Sequence, residues 1–262
     1  MRIAFADGVG LHYRIDGPDG GAPIVFGNSL GTDLRVWDPL LARLPGTLRI
    51  LRYDKRGHGL SDCPPAPYSM GVLISDAEKL IEDAGFGGAV FVGLSIGGMI
   101  AQGLAVKRPD LLRAMVLSNT AAKIGTAEMW GTRIEAARAG GLDALVDGTM
   151  ERWFSSRFQG TSEVAIWRNM FTRQPADGWI GCAAAISGSD FFSTTAGLTL
   201  PTLAIAGSED GSTPPDLVRE TADLISGARL HLIRGAGHIP CVEAPDEYAE
   251  VLMGFLEEIG HV

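Results

Sequence analysis

The 262-residue sequence is poor in three things, and each shortage removes a class of explanation. Cysteine is scarce: Cys63, Cys182 and Cys241 are odd in number and widely separated, which supports neither a disulfide framework nor a CxxC metal site. Cys63, beside "PP", reads as a loop residue, and Cys182 in "IGCAAAIS" as a small buried hydrophobe. Positive charge is also in deficit, with 22 Lys and Arg against 31 Asp and Glu, a formal net charge of -9 and no basic stripe interleaved with aromatics. Nucleic acid is therefore not an expected partner. Long apolar runs are missing too. None approaches the about 18 residues of a membrane span, and "MRIAFADGVG" lacks the h-region of a signal peptide, so a soluble, cytoplasmic protein with no membrane partner is expected.

What is present is a pattern of strands and helices. A hydrophobic content of 46% in a chain of this length is enough for one sizeable α/β core rather than two independent domains. "IAFAD" and "LHYRID" predict an antiparallel hairpin around "GVG", and "PIVFGNS", "LRILRYD", "AVFVGLS" and "AMVLSNT" then follow at βα spacing. These four are apolar almost throughout, as strands buried on both faces of a parallel sheet must be. The rhythm stops after residue 120. Residues 121–195 read as helices without a strand, and "PTLAIAGSED" and "ARLHLIRGAG" then resume the sheet pattern. The expected organisation is a core over 1–120 and 196–262, interrupted by a helical cap over 121–195.

Chemistry enters at "VFVGLSIGG". A strand, then Gly93-Leu94-Ser95-Ile96-Gly97, then the helical run "GMIAQGLAVKRPD" gives G-x-S-x-G in the strand-turn-helix context of a nucleophile elbow. Such a turn holds its serine in strained backbone geometry, and side chains at Gly93 and Gly97 would collide with neighbouring backbone. A serine hydroxyl needs a base, and the base an orienting acid. Of five histidines, His12 and His231 lie in strand patterns that suggest an edge or surface position, His58 lies in the loop "DKRGHGLSD", and His261 is next to the C-terminus. His238 remains, in the glycine-bounded loop "RGAGHIPCVEAPDEY" after the last strand. For the acid, "LAIAGSEDGSTPPD" offers Asp210 and, as the alternative, Glu209; Asp210 is favoured because Thr213-Pro214 opens the next helix and fixes the loop. The Ile96 N–H is the first expected oxyanion donor. Position in the loop "VFGNSLGTDLRVWDP" makes the Leu30 N–H the candidate for the second, although a plain turn also explains its small residues.

With "GLSIGG", "YDKRGHGLSD", "AGSEDGSTP" and "GAGHIP" in view, the chain resembles the α/β-hydrolase superfamily along nearly its whole length. The resemblance implies a mostly parallel eight-stranded sheet flanked by helices with an inserted helical cap, a serine-esterase catalytic triad of Ser95, Asp210 and His238, and no cofactor or metal. More narrowly, "NSLGTDLRVWDP", "KRGHGLSD", "AKIGTAEMWGTRI" and "ERWF" resemble 3-oxoadipate enol-lactonases of bacterial aromatic catabolism, the β-ketoadipate pathway. That implies a small anionic lactone as substrate. Asn28-Ser29 replaces the His-Gly of many superfamily members, a replacement familiar among enol-lactonase-like sequences. A general carboxylesterase or perhydrolase of the same fold is the alternative, followed by a receptor-like binding protein that retains the triad.

The cap carries its own argument for an anion. If "TAEMWGTRIEAARAG" is a helix, Trp130, Arg133, Ile134 and Ala137 share one face, placing an arginine on an otherwise apolar surface that looks toward the core. A substrate carboxylate is a natural bidentate partner there; a structural acid or a path to solvent is the alternative. Trp153 in "ERWF" either walls the same pocket or belongs to the core.

Overall fold

The apolar runs all become strands of one eight-stranded sheet in the computed structural model, which describes residues 2–262. The strands are β1 (Arg2–Ala6), β2 (Val9–Asp16), β3 (Pro23–Gly27), β4 (Arg49–Tyr53), β5 (Ala89–Leu94), β6 (Leu112–Ser118), β7 (Thr202–Gly207) and β8 (Arg229–Ile233). Their order in space is β1-β2-β4-β3-β5-β6-β7-β8. Only the pairs β1/β2 and β2/β4 are antiparallel; from β4 onward every pair is parallel. Central β5 is buried along its whole length, which is why "AVFVGL" shows no polar alternation.

The expected hairpin forms, and one histidine expectation needs correction. The hairpin turns at Asp7-Gly8, whose glycine opens "GVG", because both residues adopt positive φ, 48° and 82°, and Asp-Gly tolerates this in a two-residue loop. His12 is neither at an edge nor at the surface. Its strand β2 is paired on both sides, and the buried ring holds Asp54 Oδ2 through Nδ1 at 2.8 Å. His231 does lie on the edge strand β8, exposed and 3.0 Å from Glu247.

Helices α1 (Asp38–Leu41), α2 (Met70–Ala84) and α3 (Ile96–Lys107) come before β6. Between β6 and β7 the described residues hold no strand. That interval contains α4 (Ala127–Gly140), α5 (Val146–Trp153), α6 (Ser156–Gln159), α7 (Val164–Thr172), α8 (Ala176–Ser187) and α9 (Phe192–Thr195), with α4 packed on α8. α10 (Pro215–Asp223), α11 (Pro240–Glu243) and α12 (Pro245–Glu258) complete the chain. No helix is long and apolar enough to cross a membrane.

This topology decides where chemistry can happen. The loops after β3, β5, β7 and β8 all leave from the carboxyl ends of parallel strands, so residues distant in sequence converge on one rim of the sheet.

Candidate active site

β5 delivers the chain to Ser95, and α3 starts at the next residue. Ser95 has φ 58° and ψ −118°, a conformation that residues with side chains rarely hold. Its neighbours fix it there: its N–H donates to Ser118 O at 2.9 Å, while its carbonyl accepts from Gly98 N at 2.8 Å and Thr120 Oγ1 at 2.6 Å. Glycines let the turn close. A Cβ at Gly93 would lie 2.4 Å from Gly97 O, and one at Gly97 would lie 2.2 Å from Gly27 O on β3. Since both obstacles are backbone, Gly97→Ala should lower the unfolding free energy by ~3 kcal/mol, read as a lower urea midpoint at unchanged slope. A midpoint equal to that of the wild type would mean that β3 and α3 can part without penalty.

The loop after β7 brings Asp210 against His238, Oδ2 to Nδ1 at 2.9 Å, with both side chains buried. Oδ2 also accepts from Asn119 Nδ2 at 2.9 Å and Thr213 Oγ1 at 2.7 Å, and Oδ1 from the Ser212 and Thr213 amides at 2.7 and 2.9 Å. Burial alone would raise this carboxyl's pKa, but His238 and these donors hold it below the usual carboxylate value. An ionised Asp210 only accepts, so the proton sits on Nδ1 and Nε2 is left with a free lone pair. Glu209 turns away, its Oε2 3.3 Å from the Ser156 amide. The His238 amide is in turn fastened to Trp153 O at 2.7 Å.

Ser95 and His238 line one cavity of about 120 Å³, together with Ser29, Leu30, Trp130, Arg133, Arg152 and Trp153. His238 Nε2 looks into it, 3.4 Å from Ser29 Oγ. A sequence model of the alpha/beta hydrolase family matches residues 24–251, a span that includes the elbow, the acid turn and the histidine turn. The chain belongs to that family.

Similarity within the family is uneven. This hydrolase is 32% identical over 261 residues to 3-oxoadipate enol-lactonase 1 of Acinetobacter baylyi, covering 99% of this chain and 97% of that protein. It is 25% identical to the non-heme chloroperoxidase of Streptomyces lividans, across 97% of this chain and 99% of the other. Among solved structures, the enol-lactonase from Burkholderia xenovorans LB400 superposes with a TM-score of 0.94 at 38% identity, covering 98% of this chain and 100% of that one.

In the hydrolase's cavity, Trp130 is buried with its Nε1 tied to Ile124 O at 2.7 Å, and the Arg133 guanidinium lies 5.2 Å from the Trp130 ring centroid. Trp153 is both wall and core, its ring meeting Phe171 edge-on at 5.6 Å. Arg133 is half-buried. Desolvation, aided by the second guanidinium of Arg152, pushes its pKa down to about 10. Among the described residues no carboxylate lies within ion-pair distance of either arginine. Arg152 escapes a sequence reading because the buried stripe of its short helix, Val146, Thr149, Met150 and Trp153, passes it by; only its place in "ERWF" hints at it.

The loop that follows β3 is held from beneath. Lys55 Nζ donates to Ser29 O at 2.6 Å and Thr32 O at 3.2 Å, and His58 Nε2 accepts from the Gly31 amide at 3.0 Å. Burial, then the Lys55 charge, push the His58 pKa well below the usual value, so the ring is neutral and able to accept. Among the described residues, neither the Leu30 nor the Ile96 amide donates to a protein acceptor, although the neighbouring Ser95 and Gly31 amides both do.

Proposed function

We propose that this hydrolase opens the 3-oxoadipate enol-lactone ring, with Ser95 as nucleophile, His238 as general base, Asp210 as its orienting acid, and residues 121–195 as a cap over the site. One observation carries the reading. The serine, the imidazole and two arginines without carboxylate partners line one small cavity. A half-buried guanidinium whose neighbours are an aromatic ring or a hydroxyl keeps donors to spare for an anion, and a carboxylate bearing a lactone a few atoms away takes them up. The modest cavity suits a small ring better than a long acyl chain.

In this mechanism His238 Nε2 takes the proton of Ser95 Oγ as the oxygen attacks the lactone carbonyl, and the free Ile96 and Leu30 amides receive the oxyanion. Collapse breaks the ring C–O bond, and the imidazolium returns its proton to the enol oxygen. The enol stays attached to the acyl chain and can reclose until it ketonises, which makes opening effectively irreversible. Water, deprotonated by His238, then releases the acid from Ser95.

Steady-state turnover of the enol-lactone beside a neutral p-nitrophenyl ester tests the reading, and a clear preference for the ester would return the site to the general esterases. Arg133→Met keeps the apolar stem and loses the charge. A charge-assisted contact contributes roughly 1.5–3 kcal/mol, so kcat/KM on the lactone should fall about tenfold to a hundredfold with the neutral ester nearly unaffected. Equal losses on both substrates would instead indicate a damaged cap.

A further inference from the structure

We propose that Lys55 is a positioning residue that works through a peptide bond: its buried ammonium, hydrogen-bonded to the Ser29 carbonyl, strengthens the Leu30 N–H as an oxyanion donor. The inference rests on the reading of Leu30 as a donor given above. Ser29 C=O and Leu30 N–H belong to one trans peptide, so they point in opposite directions, one toward Lys55 and the other away from it. That carbonyl is loaded with donors: Lys55 Nζ at 2.6 Å, Thr32 Oγ1 at 2.9 Å and the Thr32 amide at 3.2 Å. Drawing electron density onto the oxygen increases the double-bond character of C–N and the positive charge on the amide hydrogen. Hydrogen bonds in such chains reinforce one another by ~10–30% per bond.

A purely structural strut does not call for a charge here. Lys55 is 2% exposed, both of its acceptors are backbone carbonyls, and no ion pair neutralises it. The nearest carboxylates are already engaged, Asp54 by His12 and the Leu34 and Leu60 amides, and Asp33 by Arg35. The groups that face the ammonium are therefore Asp33 in the loop after β3, Asp54 beside it, neutral His58, and Cys182 from α8, whose thiol burial pushes up to about 12. Desolvation dominates and brings Lys55 down to about 8.

Deprotonation of Lys55 acts with opposite sign on catalysis and on its own contribution to folding. With its folded pKa at about 8 and an ordinary lysine value of ~10.4 when unfolded, Lys55 holds more protons in the unfolded chain between these limits, so its own contribution to stability rises with pH over that interval. The buried Cys182 and Cys241 thiols, both pushed up by burial, act oppositely above ~8.5, so a folding signal is recorded beside activity at each pH.

The test is kcat and KM on p-nitrophenyl acetate from pH 7 to 10, for wild type, Lys55→Met, Lys55→Arg and Ser95→Ala. Wild-type kcat should fall at least about fivefold, with its midpoint near the Lys55 value of about 8, while KM stays flat. Lys55→Met should lose ~10- to 100-fold in kcat at pH 7, below the ~10²–10³ of an oxyanion donor removed outright, and should lack the alkaline limb. Lys55→Arg, whose charge persists to high pH, should recover part of kcat and also lack the limb. If Lys55→Met fails to fold, the wild-type and arginine profiles decide alone. A wild-type kcat flat to pH 10, or a folded Lys55→Met with undiminished kcat, overturns the proposal while leaving the Ser95 mechanism standing. Undiminished activity in Ser95→Ala overturns that mechanism and this proposal with it.

Discussion

Ser95→Ala should lower kcat by ~10³-fold or more while leaving the protein folded and able to bind a product-like acid. Only the hydroxyl is lost. The bonds that hold residue 95 at its φ of 58° are main-chain, from its own N–H to Ser118 and from Gly98 and Thr120 to its carbonyl, and alanine keeps all of them. The urea midpoint should therefore stay close to the wild-type value, and binding of 3-oxoadipate by calorimetry should persist because Arg133 and Arg152 are untouched. More than about a tenth of wild-type turnover would be incompatible with a serine nucleophile, given the losses typical of such removals.

Asp210→Asn should reduce kcat by ~10⁴-fold with KM changed little, and the cause can be traced atom by atom. Oδ1 accepts two backbone amides and Oδ2 accepts His238 Nδ1, Asn119 Nδ2 and Thr213 Oγ1. Asparagine has one oxygen to offer. The Ser212 and Thr213 amides cannot rotate, so they keep it, and the new NH2 group faces the imidazole. His238 must then accept at Nδ1, which moves its proton to Nε2 and leaves no base toward Ser95. Nitrogen chemical shifts of the His238 ring would report the changed tautomer directly. Glu209→Gln should be nearly silent, since that side chain reaches the Ser156 amide instead; a reversed pattern would assign the acid to Glu209.

The sheet was legible because its central strands are buried on both faces, and "AVFVGL" can be nothing else at that length. The elbow was legible because two close approaches of backbone require glycine at Gly93 and Gly97. Long-range pairing left weaker marks. A histidine in an alternating pattern gives no sign that Asp54, 42 residues away, will hold its ring, so the pattern places His12 at an edge or on the surface. Asn119 and Thr213 complete the shell of donors around Asp210 from two different loops, and Lys55 reaches back 26 residues to Ser29. Such contacts depend on strand order, and the jump from β2 to β4 before β3 has no local signature.

The end of α5 is bonded to both sides of the reacting pair: Trp153 O receives the His238 amide at 2.7 Å, and Arg152 O the Gly211 amide at 3.1 Å. Lifting that helix to admit a ligand would tear away the loops of base and acid alike, disarming the machinery each time the door opened. Among the described residues no backbone hydrogen bond joins α4 to either loop, although it lays Trp130 and Arg133 over the cavity. The wall that carries Arg133 is thus fastened to neither catalytic loop, and the wall that carries Arg152 and Trp153 is the doorpost to both.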